Sequence, residues 1–349
     1  MKRIGFLIMF AFVLQSLAIV SVFSQEVNRS YYVRADGDDT NNGRTEDASL
    51  KTVQKAFELA SRGAVKTITV IGKISGEITI GNSGNTEIVL QGKAGSTDSE
   101  RGILSGLWLE QCNVKILNLE ISDGSTGLYI VGGTVVLGQG TKICNNSSGG
   151  IYIRFGTLTL DGAEISNNSI TNSAGGGIKL ADNSKLLMIS GTITGNRSTG
   201  DASYSRGGGI DASSSGVVFE MRGGTISDNV SGTQGGGIYS SSGFTMSGGE
   251  IINNSAKAGG GIYIGGGGIV TIKAGTIKGN KAEYGAGIYV RTAEKTGCTI
   301  DGGTITENIA DFVGGGIYLV GGSVYKKNGG TISKNQAGDG EGEDIFTQR

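Results

Sequence analysis

The sequence predicts an all-β protein, a right-handed parallel β-helix solenoid with three short strands in each coil and an N-terminal capping helix. Two recurring motifs predict this fold. The first is GG(G/A)I, with looser copies at 149–151 (GGI) and 285–288 (GAGI). Its isoleucines follow one another at steps of 24 to 32 residues, at Ile151, Ile178, Ile210, Ile238, Ile262, Ile288 and Ile317. The second is Ile-x-x-Asn, which ends at Asn146, Asn168, Asn196, Asn229, Asn254, Asn280, Asn308 and Asn335. A period of this size is typical of a solenoid in which each repeat is one supersecondary unit.

Each repeat contains a third short run between the two motifs, for example at 157–160, 244–246 and 270–272. All three segments alternate apolar and polar residues, which is the pattern of a half-buried strand, and no repeat contains a helical pattern. Coils of such strands stack about 4.8 Å apart, so the isoleucines should form inward columns and the asparagines one ladder at a turn. The 65 glycines among 349 residues fit the tight corners between strands.

The chain begins with a segment that has the features of a secretory signal. Lys2 and Arg3 precede a largely apolar run at 4–22, and Val22 and Ser24 fit the small residues of a cleavage site. We predict a signal peptide over 1–24, with cleavage after Ser24. An uncleaved membrane anchor is the alternative, because the apolar run is nearly long enough to span a bilayer. Export places the protein at the cell surface, in the periplasm or outside the cell.

Charge and cysteine content restrict the classes of partner. Cleavage would remove two of the 30 basic residues and leave 28 against 31 acidic residues, too balanced to favour nucleic acid or an anionic membrane. After cleavage no further apolar run is long enough to span a membrane. The three cysteines, Cys112, Cys144 and Cys298, lie far apart and form no zinc motif. Cys298 aligns with apolar core positions, and Cys112 could pair with Cys144 only across neighbouring coils.

Residues 25–63 are predicted to hold a strand, a polar loop and a capping helix. Tyr31–Val33 is the strand, Ser49 is placed to cap the helix, and Gly63 ends it. Its apolar stripe consists of Leu50, Val53, Ala56, Phe57 and Ala60. A solenoid needs such a cover because its open end exposes apolar side chains and strand edges.

The segment YYVRADGDDTNNGRTEDASLKTVQKA, residues 31–56, resembles the opening of bacterial secreted pectin-lyase-like β-helix proteins. That resemblance implies the right-handed β-helix fold and export, in a family that includes polysaccharide lyases, glycoside hydrolases and proteins without known activity. The pairing of GG(G/A)I with IxxN resembles the repeats of polymorphic outer membrane proteins. Those proteins end in a membrane barrel, which this sequence does not continue into.

We predict that residues 64–340 form one β-helix and that residues 341–349 form a polar tail. Less regular strands at 67–71, 77–80, 87–90 and 114–121 are interpreted as its first, wider coils, with Trp108 packed there. We see no linker and no second domain.

The residue after each repeat isoleucine should point outward. From Leu128 onward these residues are Tyr129, Tyr152, Lys179, Asp211, Tyr239, Tyr263, Tyr289 and Tyr318, six of them tyrosines. Such a stripe is a candidate platform for sugar rings, because an aromatic face offers apolar contact beside a polar tip. Alternatively, the tyrosines stabilise the sheet as cross-strand pairs.

The stripe is interrupted only at Lys179 and Asp211. The longest coil lies between them and includes the loop 196–206. That loop should bring Tyr204 and Arg206 over the same face. We therefore take Lys179, Asp211 and Arg206 as candidate catalytic residues, and Tyr204 as a candidate ligand contact. A solvated surface with salt bridges is the alternative.

The polar loop 36–47 offers Asp36, Asp38 and Asp39 as candidate calcium ligands, since hard cations prefer several oxygen ligands. The spacing is not that of an EF-hand, and a solvated turn is the alternative. The chain has no histidine, which excludes Ser–His and Cys–His catalysis and the usual zinc sites.

Three functions remain open. The first is an exported β-helix that binds a glycan or a protein partner without catalysis. The second is a polysaccharide lyase or glycoside hydrolase, which would need acidic or basic side chains converging in a groove. The third is a purely structural component of the envelope.

Overall fold

The computed structural model describes residues 30–64, 66–84, 86–200, 204–291 and 297–348. Successive coils each add one short strand to three parallel sheets, which confirms the predicted β-helix with three strands per coil. The predicted signal peptide, 1–24, lies outside the described residues. Within them, no helix combines the length and the apolar character needed to cross a membrane.

The strands fall into three sheets, here called A, B and C, and some long strands bend from one sheet into the next. Sheet A contains Ile78–Gly81, the first halves of Leu107–Leu117 and Leu128–Leu137, and then Ile151–Arg154, Ile178–Ala181, Ile210–Ala212, Ile238–Ser240, Ile262–Ile264, Ile288–Val290, Ile317–Leu319 and Ile345–Thr347. Sheet B contains Ser30–Arg34, Thr67–Ile71, Glu87–Gly92, the second halves of Leu107–Leu117 and Leu128–Leu137, the first halves of Thr157–Ser166 and Lys185–Thr194, and then Val218–Met221, Phe244–Met246, Ile269–Ile272, Gly297–Ile300 and Val324–Lys327. Sheet C contains Lys73–Ile74, Ile103–Leu104, Glu120–Ser122, Lys142–Cys144, the second halves of Thr157–Ser166 and Lys185–Thr194, and then Thr225–Ser227, Glu250–Ile252, Thr276–Lys278, Thr304–Thr306 and Thr331–Ser333.

A fourth, narrower set of pairings, the side ladder, was not expected from the sequence. It lies between sheets C and A and contains Ser169–Thr171, Arg197–Thr199, Val230–Ser231, Lys281–Tyr284, Ile309–Val313 and Gln336–Ala337. A single-residue bridge through Ser255 joins its two halves. The side ladder therefore widens the later coils beside the outer face of sheet A.

The repeat isoleucines form the predicted inward column. Ile238, Ile262 and Ile288 are paired in register and have no exposed surface. Removing such a side chain from water contributes about 1.5–3 kcal/mol of transfer free energy. Cys298 stacks in a comparable column of sheet B and is 1% exposed, as expected from its alignment. Cys112 and Cys144 are both free, so the pairing considered for them does not occur.

The predicted asparagine ladder is confirmed from Asn146 to Asn335. In each step the side-chain oxygen accepts hydrogen bonds from the backbone N–H and the amide of the preceding asparagine, as Asn280 does from Asn254 at 2.9 and 3.0 Å. The column ends on Asp344, which accepts from Asn335 Nδ2 at 2.9 Å. The left-handed backbone conformation falls on the residue before each asparagine, for example Asn253 or Glu307, with φ near 56°. Hydrogen bonds between buried side-chain amides therefore hold the ladder together, and the asparagines of the ladder do not themselves adopt the left-handed conformation.

The capping helix, α1, runs over Val53–Arg62 and ends at Gly63, as expected. The prediction that Ser49 caps the N-terminus of the helix is wrong, because Leu50 still pairs with Val33 and keeps the chain extended there. Thr52 caps the helix, and its hydroxyl accepts from Lys55 N at 3.2 Å. The buried face consists of Val53, Ala56, Phe57 and Ala60.

The strands expected at 77–80 and 87–90 are Ile78–Gly81 and Glu87–Gly92, and the expected loop 196–206 contains the strand Arg197–Thr199. Two further segments differ in the elements that they contain. The run expected as one strand at 114–121 belongs to two strands, Leu107–Leu117 and Glu120–Ser122, because Asn118 turns with φ of 49°. The expected polar tail, 341–349, contains the strand Ile345–Thr347, which pairs with Ile317–Leu319 and continues sheet A.

Candidate functional site

The outward residues of sheet A form two stacks of aromatic rings. Trp108, Tyr129 and Tyr152 make the first stack, with ring centroids 4.1 and 4.6 Å apart. The second stack consists of Tyr239, Tyr263, Tyr289, Tyr318 and Phe346, with centroids 4.9–5.3 Å apart. The tyrosines of the second stack lie within 5–9° of parallel. Strand register therefore places one ring directly over the next.

The expectation that these tyrosines are exposed is wrong. Tyr239, Tyr263 and Tyr318 are only 3–6% exposed, because each ring covers the face of its neighbour. Burial raises the pKa of all three phenols above the usual 10.0. Burial also raises the pKa of Tyr289 and Tyr152.

This packing bears on the ligand role considered for Tyr152, Tyr239, Tyr263, Tyr289 and Tyr318. A sugar ring that stacks on an aromatic residue needs an open ring face. In the second stack the faces between neighbouring rings are occupied by other rings, as in a run of cross-strand pairs. The geometry therefore favours the stabilising role that the sequence left open.

Charged side chains lie between the two stacks of aromatic rings. Arg206 Nε donates to Asp211 Oδ1 at 3.2 Å, and the Arg206 guanidinium lies 4.7 Å from the centroid of Tyr239. At the other side, Lys179 Nζ lies 5.9 Å from the centroid of Tyr152. Each stack thus ends against a cation, an attractive arrangement for an aromatic face. The long loop does bring Arg206 onto sheet A, as predicted.

Asp211 is poorly placed for the catalytic role considered for it. Its side chain has no exposed surface, and Ser213 Oγ donates to its second oxygen at 2.9 Å. Burial raises the pKa of Asp211, while Arg206, Ser213 and Lys179 act in the opposite direction. Both carboxylate oxygens are therefore occupied within the protein.

Tyr204, the remaining candidate of the long loop, is 64% exposed. Its carbonyl accepts from Arg206 N at 2.9 Å, and residues 201–203 beside it are outside the described residues. Its role as a ligand contact stays a prediction.

The three candidate calcium ligands, Asp36, Asp38 and Asp39, make hydrogen bonds or ion pairs with neighbouring residues of the N-terminal segment. Asp39 accepts from the backbone N–H groups of Lys51 and Thr52, each at 2.9 Å, and so fixes the start of α1. Asp38 accepts from Thr40, mainly through its backbone N–H, which lowers the pKa of Asp38. Asp36 pairs with Arg34 at 3.1 Å. Among the described residues, no group of three or more acidic or cysteine side chains is arranged to hold a metal ion.

An exposed aromatic pair on the side ladder was missed in the sequence. Tyr284 and Phe312 are 37% and 42% exposed, and their centroids lie 5.2 Å apart. The Tyr284 ring also makes an edge-on contact with that of Tyr318, at 72° and with centroids 6.0 Å apart. The signal was present, because both aromatics precede the glycines of GAGIY and GGGIY by one or two residues.

The residues around this pair are small or charged. Ala258 is bridged to Tyr284 on the preceding coil. On the following coil, Asp339 N donates to the carbonyl of Phe312 at 3.1 Å, and a side chain at Gly340 would meet no atom within 4 Å. The aromatic pair, defined as Tyr284 and Phe312, is therefore partly exposed, although the two rings stack on each other.

The comparisons with known proteins support the fold. Residues 105–220 match the family model described as a right handed beta helix region. Neither a curated protein nor a solved structure matches the chain. The chain is therefore a β-helix protein, and its relation to pectin-lyase-like enzymes or to outer membrane repeats stays a resemblance.

Proposed function

We propose that this protein is an exported β-helix that binds a glycan, without cleaving it, through the aromatic pair Tyr284 and Phe312. The observation that carries the proposal is the contrast in exposure: the pair is 37–42% exposed, whereas three of the stacked tyrosines of sheet A are at most 6% exposed. The two rings stack on each other at 28°, so the surface that they offer to a ligand is the exposed part outside that contact. Exposed aromatic surface beside polar groups suits sugar rings, which have apolar C–H faces and polar edges. The rigid coils beneath hold both rings in place.

Polar groups beside the pair complete a sugar-binding surface. Asp311 and Asp339 are exposed next to Phe312, and within the described residues neither carboxylate has a hydrogen-bond or ion-pair partner. Carboxylate oxygens are strong acceptors for sugar hydroxyls. We propose binding without cleavage because the three candidate catalytic side chains are engaged within the protein. Arg206 pairs with Asp211 and lies over the Tyr239 ring, and Lys179 lies over the Tyr152 ring.

A glycan array followed by affinity electrophoresis of the purified protein tests the proposal. We expect retention by at least one polysaccharide, with no shortening of the polymer. The double variant Tyr284→Ser/Phe312→Ser should weaken binding roughly 5- to 150-fold, from about 0.5–1.5 kcal/mol per aromatic contact.

The matched control is Phe155→Ser, because Phe155 is an exposed aromatic, at 51% even more exposed than the pair, on a different corner of the coil. It should bind like the unaltered protein. Binding that survives the double variant, or the absence of any retained glycan, would contradict the proposal. Cleavage of the polymer would instead favour the lyase or hydrolase alternative.

Export has its own test. We expect expression of the full chain in a bacterial host to yield protein outside the cytoplasm with Gln25 as its first residue. Mass spectrometry of the fractionated protein measures this. A chain that retains residues 1–24 and stays in the membrane fraction would support the anchor alternative.

A further inference from the structure

We infer that the glycan bound at the aromatic pair carries free amino groups, so that the ligand is a polymer of amino sugars in its cationic form. This inference rests on the proposed glycan-binding function. It depends on two features of the same surface, the exposed aromatic surface of Tyr284 and Phe312 and the sign of the charges around them.

The charges beside the pair are predominantly negative. Glu283 and Asp311 directly precede the two aromatic residues, and Asp339 N donates to the Phe312 carbonyl. On the same corner, Glu343 O accepts from Gly316 N at 2.8 Å, just before Tyr318, and Glu341 lies two residues earlier. The cations there are Lys257 and Lys281. Apart from Asp344, the charged residues named at this corner are therefore five carboxylates and two ammonium groups.

These carboxylates are available to a ligand. The side chains of Asp311, Asp339, Glu341 and Glu343 are exposed, and that of Glu283 is half-buried. Within the described residues none of the five makes a hydrogen bond or an ion pair through its carboxylate. By contrast, Asp344 at the same corner accepts from Asn335 and so belongs to the asparagine ladder.

An ammonium group fits both features of the surface at once. Aromatic faces attract cations within about 6 Å of the ring centroid, and carboxylates accept charge-assisted hydrogen bonds from them. A uronic acid polymer would meet like charge at the same place, which is unfavourable, and a neutral polymer would leave the carboxylates without a charged partner. An amino-sugar polymer supplies amines on successive rings beside apolar sugar faces for Tyr284 and Phe312.

The test compares two oligosaccharides with the same backbone, one with free amines and one fully N-acetylated, by isothermal titration calorimetry. We expect the free-amine form to bind about tenfold more tightly or better. That preference should shrink as the salt concentration rises, because exposed charges are screened. The double variant Asp311→Asn/Asp339→Asn should lose the preference while it retains the weaker binding of the acetylated form.

Asp228→Asn is the matched control, since Asp228 is an exposed carboxylate at another corner of the coil, and it should keep the preference. Equal binding of both oligosaccharides, abolished by Tyr284→Ser/Phe312→Ser, would overturn the inference and leave the glycan-binding function intact. No binding of any glycan would overturn both. Binding of a lysine-rich peptide but of neither oligosaccharide would also overturn both, in favour of a protein partner.

Discussion

Asn254 donates from its backbone N–H and its side-chain amide to the same oxygen, Oδ1 of Asn280, at 2.9 and 3.0 Å. The amide of Asn254 also reaches back to the carbonyl of Ile226 at 2.9 Å. Each asparagine of the ladder thus ties its own coil to both neighbours in a site without solvent.

Asn254→Ala should destabilise the protein by about 1–3 kcal/mol, because it leaves buried donors and acceptors without partners. Urea unfolding followed by circular dichroism measures the change. The control is Asn253→Gly, at the exposed neighbour with φ of 57°, which should change the free energy of unfolding by less than about 1 kcal/mol. Similar losses at both positions would mean that the buried amide pairing is not what stabilises this turn.

Lys334→Gly should stabilise the protein, by up to about 1 kcal/mol. Lys334 occupies the left-handed position before Asn335 with φ of 61°, where glycine or asparagine stands in several other coils. Thr306→Gly is the contrasting change, because Thr306 lies in a regular strand of sheet C and should lose stability. Thermal unfolding measures both, and a lower melting temperature for Lys334→Gly would contradict the expected strain.

Tyr263→Ser should cost about 2–4 kcal/mol, because it removes a 3%-exposed ring from between two others. Tyr263→Phe keeps both ring contacts, at 5.2 and 4.9 Å in the native stack, and should cost less than about 1 kcal/mol. Denaturant unfolding separates the two. Equal effects would show that the hydroxyl, not the stacking, stabilises sheet A.

Stability should fall as the pH rises above 10. The phenols of the second stack have pKa values raised by burial, while in the unfolded chain they ionise near 10.0. Above pH 10 the folded state therefore binds more protons than the unfolded state, and the free energy of unfolding decreases with pH. Below pH 10 this stabilising contribution is fully present.

Denaturant unfolding between pH 9 and pH 11 measures this decrease, and Tyr263→Phe should make it shallower. If the variant and the unaltered protein lose stability in parallel, the titration of Tyr263 is not responsible for the decrease.

Arg206→Ala should destabilise the protein by about 3–5 kcal/mol, since it leaves the fully buried Asp211 carboxylate without its cation. Arg222→Ala is the control, because Arg222 pairs with Glu220 on the surface and such pairs contribute about 0–1 kcal/mol. If both substitutions cost the same, Asp211 does not depend on Arg206.

Deletion of 31–63 should yield aggregating protein, because it uncovers Ile68 and Val70 and leaves the edge of the first coil unpaired. Light scattering of the purified variant measures this. A soluble truncation that unfolds cooperatively would show that the cap is dispensable.

The sequence determined the coil and its register by itself. The GG(G/A)I and IxxN spacings predicted the inward isoleucines, the asparagine ladder and the outward direction of Tyr239 and its counterparts, because all three follow from strand alternation and from the stacking of identical repeats. The end of α1 at Gly63 and the buried position of Cys298 were predictable for the same reason, since each depends on local pattern or alignment.

Only the tertiary structure decided what lies over each outward residue. Alternation gives the direction of the Tyr263 side chain, but its exposure depends on rings contributed 24 and 26 residues away in the chain, from Tyr239 and Tyr289. The burial of Asp211 likewise depends on how a long loop returns Arg206 to it. The aromatic pair depends on tertiary structure in the same way: the stacking of Tyr284 on Phe312 and the 72° angle between Tyr284 and Tyr318 arise from packing between coils and are absent from the repeat pattern.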